Sequence, residues 1–97
     1  MAGQIRLTPD DMRTRSGEYT RQSEAFQEVI NTMQQLLNQL QTEWEGASSQ
    51  AFEQRFESLK PSFQATKELI DEIAANLMST ANSLEQLDAD IASKIGG

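Results

Sequence analysis

Apolar residues in this chain fall into two long runs with helical spacing, separated by a short break near the middle. In the first run Met12, Tyr19, Phe26, Met33 and Leu40 recur every seven residues, supported by Ile30, Leu37, Val29 and Leu36. The second run is more regular. Phe52, Phe56, Leu59, Phe63, Thr66, Ile70, Ile73, Leu77, Thr80, Leu84, Leu87 and Ile91 alternate steps of four and three. One apolar position every 3.5 residues is the seam of a left-handed coiled coil. The pattern therefore predicts two amphipathic helices.

Local signals set their ends. Thr8 suits the N-cap, Pro9 the first helical position and Asp11 the third, which makes a capping-box variant with an acidic first turn. Helix one is expected over about 8–43, a turn at Trp44-Glu45-Gly46, and helix two over about 48–94, all within a single domain spanning residues 1–97. Gly46 is placed to take the left-handed conformation that closes a helix C-terminus, and Ser48 or Ser49 to cap the next helix. Trp44, the one tryptophan, falls in the last turn beside the reversal. The arm before Thr8 carries Ile5 and Leu7 as possible anchors. Pro61 removes one N–H inside helix two, and since the seam keeps register across it, a kink is expected rather than a break. Gly17 inside helix one costs about 1 kcal/mol against alanine; it reads either as tolerated weakness or as a place where another helix comes close.

Lengths then decide what stays uncovered. At about 1.5 Å per residue the helices are roughly 50 and 70 Å long. Folded back at Gly46, helix one reaches only to about Thr80, leaving Leu84, Leu87, Ile91 and Ile95 projecting. Ala74, Ala81, Leu69 and Met78 keep a second side of the hairpin apolar. A lone two-helix hairpin with such a strip should associate. The expected fold is all-α: an antiparallel helix-turn-helix hairpin that dimerises into an elongated four-helix bundle. Its core is assigned to Tyr19, Phe26, Met33 and Leu40 of helix one with Phe52, Phe56, Leu59, Phe63, Ile70, Ile73 and Leu77 of helix two.

Composition narrows the function. The formal charge is −7, with 15 acidic against 8 basic residues, so binding to a phosphate backbone is disfavoured and nucleic acid is not an expected partner. Cysteine and histidine are both absent, which removes most nucleophile–base pairs and imidazole or thiolate metal sites. Glu53 with Glu57, and Glu68 with Glu72 beside Asp71, lie off the seam on positions expected to face water. No enzyme activity, cofactor or metal is expected. The N-terminus has no apolar core of a signal peptide, and no segment is long and apolar enough to span a bilayer. Acidic polar faces also disfavour binding to anionic lipid, although protonation at acid pH would lower that barrier.

The Trp44-Glu45-Gly46 turn at mid-chain, between two acidic helices, resembles the WXG family of small early-secreted-antigen-like proteins. These are substrates of the type VII secretion system. A second element supports the resemblance: Leu84, Asp88, Ile91 and Ile95 match the spacing of the family's C-terminal export motif, hydrophobic-x-x-x-acid-x-x-hydrophobic-x-x-x-hydrophobic. Many members place a tyrosine in that motif, whereas the one tyrosine here is Tyr19 in helix one. The chain looks closer to the homodimeric members from Firmicutes. The resemblance implies a protein that is cytoplasmic before export and secreted without a cleavable signal peptide. It would leave as a folded homodimer whose turn and C-terminal segment form a composite signal for a membrane-embedded export ATPase. It further implies a virulence-associated effector or a chaperone for co-secreted proteins. Two other readings stay open: half of an obligate heterodimer with a sibling hairpin, and a protein that perturbs membranes as pH falls.

Overall fold

A computed structural model describes residues 6–44 and 46–96. The candidate anchor Ile5 and turn residue Glu45 lie outside the described residues. Two helices account for almost all of the rest: α1, Pro9–Glu43, and α2, Ala47–Gly96. No strand occurs among the described residues. The helices pack side by side and antiparallel, as pairs such as Ser16 with Ala74, Phe26 with Phe63 and Trp44 with Phe52 require. The molecule is a rod 76 Å long and about 20 Å across. The all-α hairpin expected from the hydrophobic spacing is what forms.

The start of α1 follows its local chemistry. The Thr8 hydroxyl accepts from the Asp11 amide at 3.1 Å, and the Asp11 carboxylate accepts from the Thr8 amide at 3.2 Å. Pro9 opens the helix at a position where the N–H it lacks would have had no partner within the helix. This reciprocal box satisfies two orphan donors. Helix α2 runs unbroken through Pro61.

The turn corrects two expectations. Gly46 does not adopt the left-handed conformation; instead Trp44 ends α1 with an extended backbone, φ −128° and ψ 96°. Ser49 is not an accepting cap either. Its hydroxyl donates to the carbonyl oxygens of Trp44 (2.8 Å) and Gly46 (3.1 Å). The Gln41 amide donates to the Ser49 carbonyl at 2.7 Å. The one hydroxyl hydrogen of a buried serine is thus shared between two carbonyls of the turn, where a reversed glycine backbone would bring amides to the end of α1. Ser48 stays exposed.

Coverage by α1 runs close to the length estimate. Ala81 is fully buried, in line with a reach to about Thr80. Leu84 is half-buried, not projecting, and in the same stretch Arg13 reaches Asn82 and Glu85. Beyond that point Leu87, Ile91 and Ile95 are exposed.

Candidate docking surface

The helix–helix seam leaves out the α2 column that contains Phe52 and Leu59. Phe56, Phe63, Ile70, Leu77 and Leu84 lie on its inner edge, buried or half-buried. The column one residue beyond Phe52 closes the other edge: Glu53, Lys60 and Lys67 are half-buried, and Ala74 and Ala81 are buried. Glu53 therefore does not simply face water, and Ala74 and Ala81 belong inside the hairpin rather than on a second apolar side. Facing them from α1 are buried Ser16, Ser23 and Leu37 with half-buried Ile30 and Gln34. Small residues let the backbones approach, as the Ser16 hydroxyl shows by donating to the Ala74 carbonyl at 2.7 Å. The methylene stems of Lys60 and Lys67 cover apolar surface while their ammonium groups reach Glu57 and Asp71.

This arrangement leaves the remaining apolar columns outside. Of the residues assigned to the bundle core, Phe56 is buried, and Phe26, Phe63, Ile70, Ile73 and Leu77 are half-buried. Tyr19, Met33, Leu40, Phe52 and Leu59 are exposed on the single hairpin, Phe52 by 57%. Each exposed column is rotated in the same sense from its helix's buried column, and in an antiparallel pair that rotation puts both on one face. The ring contact of Trp44 with Phe52, 6.4 Å between centroids, ties the two columns together at the turn. Val29 and Leu36 extend the apolar face along α1.

The opposite flank is polar. A groove of about 270 Å³ there runs past Phe26, Ile30 and Phe63 under Gln27, Asn31, Gln34, Lys60 and Gln64. The hairpin thus has one wet face and one apolar face.

The two sequence-marked motifs sit at opposite ends of the rod. Trp44, 44% exposed, and Gly46 form one tip. Leu84, Asp88, Ile91 and Ile95 occupy the other end, where α2 outruns α1 by 15 residues (50 against 35). From Phe52 to Ile91 the helix rises roughly 58 Å, so one chain does not bring its own turn and C-terminal segment together. Asp88 is exposed, as are Glu57, Glu68 and Glu72. Among the described residues no group of acidic side chains is arranged to hold a metal ion. Position, apolar exposure and shape are what this surface offers.

Sequence reasoning missed Ser23, Ser49, Lys60 and Lys67 as seam residues. For Lys60 and Lys67 the signal that could have found them is the heptad column they share with Ala74 and Ala81, and for Ser49 the column it shares with Phe56 and Phe63.

Known proteins resemble this chain over nearly its whole length. YukE of Bacillus subtilis is 39% identical over 97 residues, covering 100% of both chains. Type VII secretion system extracellular protein A of Staphylococcus aureus is 25% identical over 92 residues, covering 95% of each. The crystal structure of EsxA from Geobacillus thermodenitrificans superposes with a TM-score of 0.86 at 41% identity, covering 95% of this chain and 99% of that one. The family model for proteins of 100 residues with WXG matches residues 4–89. With the turn, the hairpin and the full-length likeness all in agreement, this chain belongs to the WXG100 family.

Proposed function

We propose that this chain is an export substrate of a type VII secretion system and works as an antiparallel homodimer. The observation that carries the reading is the apolar face on which Tyr19, Met33 and Leu40 of α1 lie beside Phe52 and Leu59 of α2. A second copy related by a two-fold axis offers the same columns in the complementary direction, which closes a four-helix bundle without a new kind of contact. The similarity to a staphylococcal protein named as a type VII extracellular protein supports secretion as the fate of the chain.

The dimer also gives the separated motifs a way to meet. If the paired lengths overlap fully, the Trp44 tip of one protomer falls beside Leu84 of its partner, with the partner's Asp88, Ile91 and Ile95 just beyond. The resulting surface exists only in the folded dimer, and an export ATPase that reads it distinguishes assembled from unassembled chains. Trp44 and Ile91 act here as contact residues, with no bond made or broken. The experiment is secretion of Trp44→Ala and Ile91→Ala from cells carrying the machinery, with native mass and circular dichroism as controls. Dimeric, helical variants that stay inside the cell support the composite signal. Normal secretion of both refutes it. A wild-type chain that stays monomeric and poorly helical would instead point to a different hairpin as its partner.

A further inference from the structure

Five ion pairs join described residues, and four lie within one helix at spacings of three or four. The fifth crosses between helices. The Arg13 guanidinium of α1 donates through Nη2 to the Asn82 side-chain oxygen at 2.8 Å and to the Glu85 carboxylate. Its Nη1 lies 3.5 Å from Asp10. This clasp sits where the apolar seam ends: Met12 and Ala81 are buried, Leu84 is half-buried, and Leu87 is 53% exposed.

We propose that Arg13 is a positioning residue that clasps Asn82 and Glu85, fixing the point at which α2 leaves the hairpin and the direction in which Leu87, Ile91 and Ile95 project. The inference rests on the reading of that segment as part of a recognition surface. Arginine suits the task because the two Nη2 hydrogens, fixed in the guanidinium plane, serve Asn82 and Glu85 at once, while a lysine ammonium is a point charge on a flexible stem. The Glu85 carboxyl is held below its usual range chiefly by the hydrogen bond from Arg13, against the opposing effect of desolvation. The pair is thus charged at neutral pH. Exposed ion pairs add little to global stability. At the unpartnered end of a helix the competing process is local opening, which itself takes little free energy, so a small bias there changes the population.

The test uses the full-length chain. Amide exchange over residues 82–92 is compared for wild type, Arg13→Ala, Arg13→Lys and the charge-reversed pair Arg13→Glu with Glu85→Arg, alongside secretion of each. Arg13→Ala should speed exchange in that segment by roughly fivefold, the upper end for an exposed pair, with protection over 56–77 unchanged and secretion reduced. Arg13→Lys should fall between, and charge reversal should recover much of both losses. Unchanged exchange in Arg13→Ala overturns the proposal, as does a reversed pair that recovers nothing. Faster exchange with normal secretion, where Ile91→Ala is still blocked, overturns the presenting role. Normal secretion of Ile91→Ala defeats the recognition reading itself, and the exchange result then still judges the clasp.

Discussion

Phe52→Ala discriminates between a hairpin that stands alone and one that is half of a bundle. In the single chain Phe52 is 57% exposed, and its recorded ring partner is Trp44. A phenylalanine buries about 200 Å² when fully covered, so roughly 110 Å² of this one is left for a partner. At about 25 cal/mol per Å², covering it contributes about 3 kcal/mol per copy. Alanine retains a little of that, and two-fold symmetry applies the loss twice, so association should weaken by about 5 kcal/mol. At about 1.4 kcal/mol per decade the dimer dissociation constant should rise by three orders of magnitude or more. Sedimentation equilibrium over a wide concentration range reads this directly. Phe56→Ala is the comparison, because Phe56 is buried inside the hairpin against Phe63 at 5.4 Å. Its loss should cost about 3–5 kcal/mol of folding stability. A Phe52→Ala dissociation constant within about threefold of wild type, far below one decade, would refute the apolar face as the dimer interface.

Two further outcomes follow from single positions. Gly17→Ala should raise stability by about 1 kcal/mol, or roughly 4–8 °C in melting temperature for a chain this size. A Cβ there meets only the flexible Arg21 side chain at 3.7 Å; a lowered melting temperature, or loss of the dimer, would mean that a second copy packs on Gly17. For pH, the Glu85 carboxyl is lowered by Arg13 in the folded chain, so its stabilisation is fully present above the ordinary carboxylate value and is lost as pH falls through the lowered one. The difference in C-terminal exchange between wild type and Arg13→Ala should therefore be constant near neutrality and vanish well below about pH 4. A difference that grows on acidification would contradict this assignment.

The hairpin was legible in the sequence because its determinants are local. Thr8, Pro9 and Asp11 start α1 through contacts within one turn, and the break in apolar spacing at Trp44 marks where the chain reverses. Which side of each helix faces the other was not legible. In α2 the column Phe56, Phe63, Ile70, Leu77, Leu84 completes a four-three seam with either neighbour, the one containing Phe52 and Leu59 or the one containing Lys60 and Ala74. Counting apolar residues selects the first, and the hairpin uses the second. Close antiparallel packing favours small side chains and tolerates lysine stems, and hydropathy is blind to both. The same reason hides Ser16 and Ser23 on α1. The column of Phe52 and Leu59, more apolar than that of Lys60, is left exposed on the single hairpin. The closure of the turn by Ser49 was invisible for another reason: a hydroxyl can accept as a cap or donate to carbonyls, and only the folded geometry chooses.

That turn carries a last consequence. Since the Gly46 backbone avoids the left-handed region, glycine is not needed there to spare a side chain from strain. Apart from its chain neighbours, the only atom of the described residues within 4 Å of an added Cβ is Nε1 of Trp44, at 3.7 Å. Glycine at 46 is then a question of access: it puts no side chain of its own against the ring nitrogen of Trp44, a residue 44% exposed at the tip of the rod. An alanine would draw a methyl curtain across that nitrogen while leaving the hairpin's architecture alone. Folding and visibility of the tryptophan can thus be varied independently at a single position.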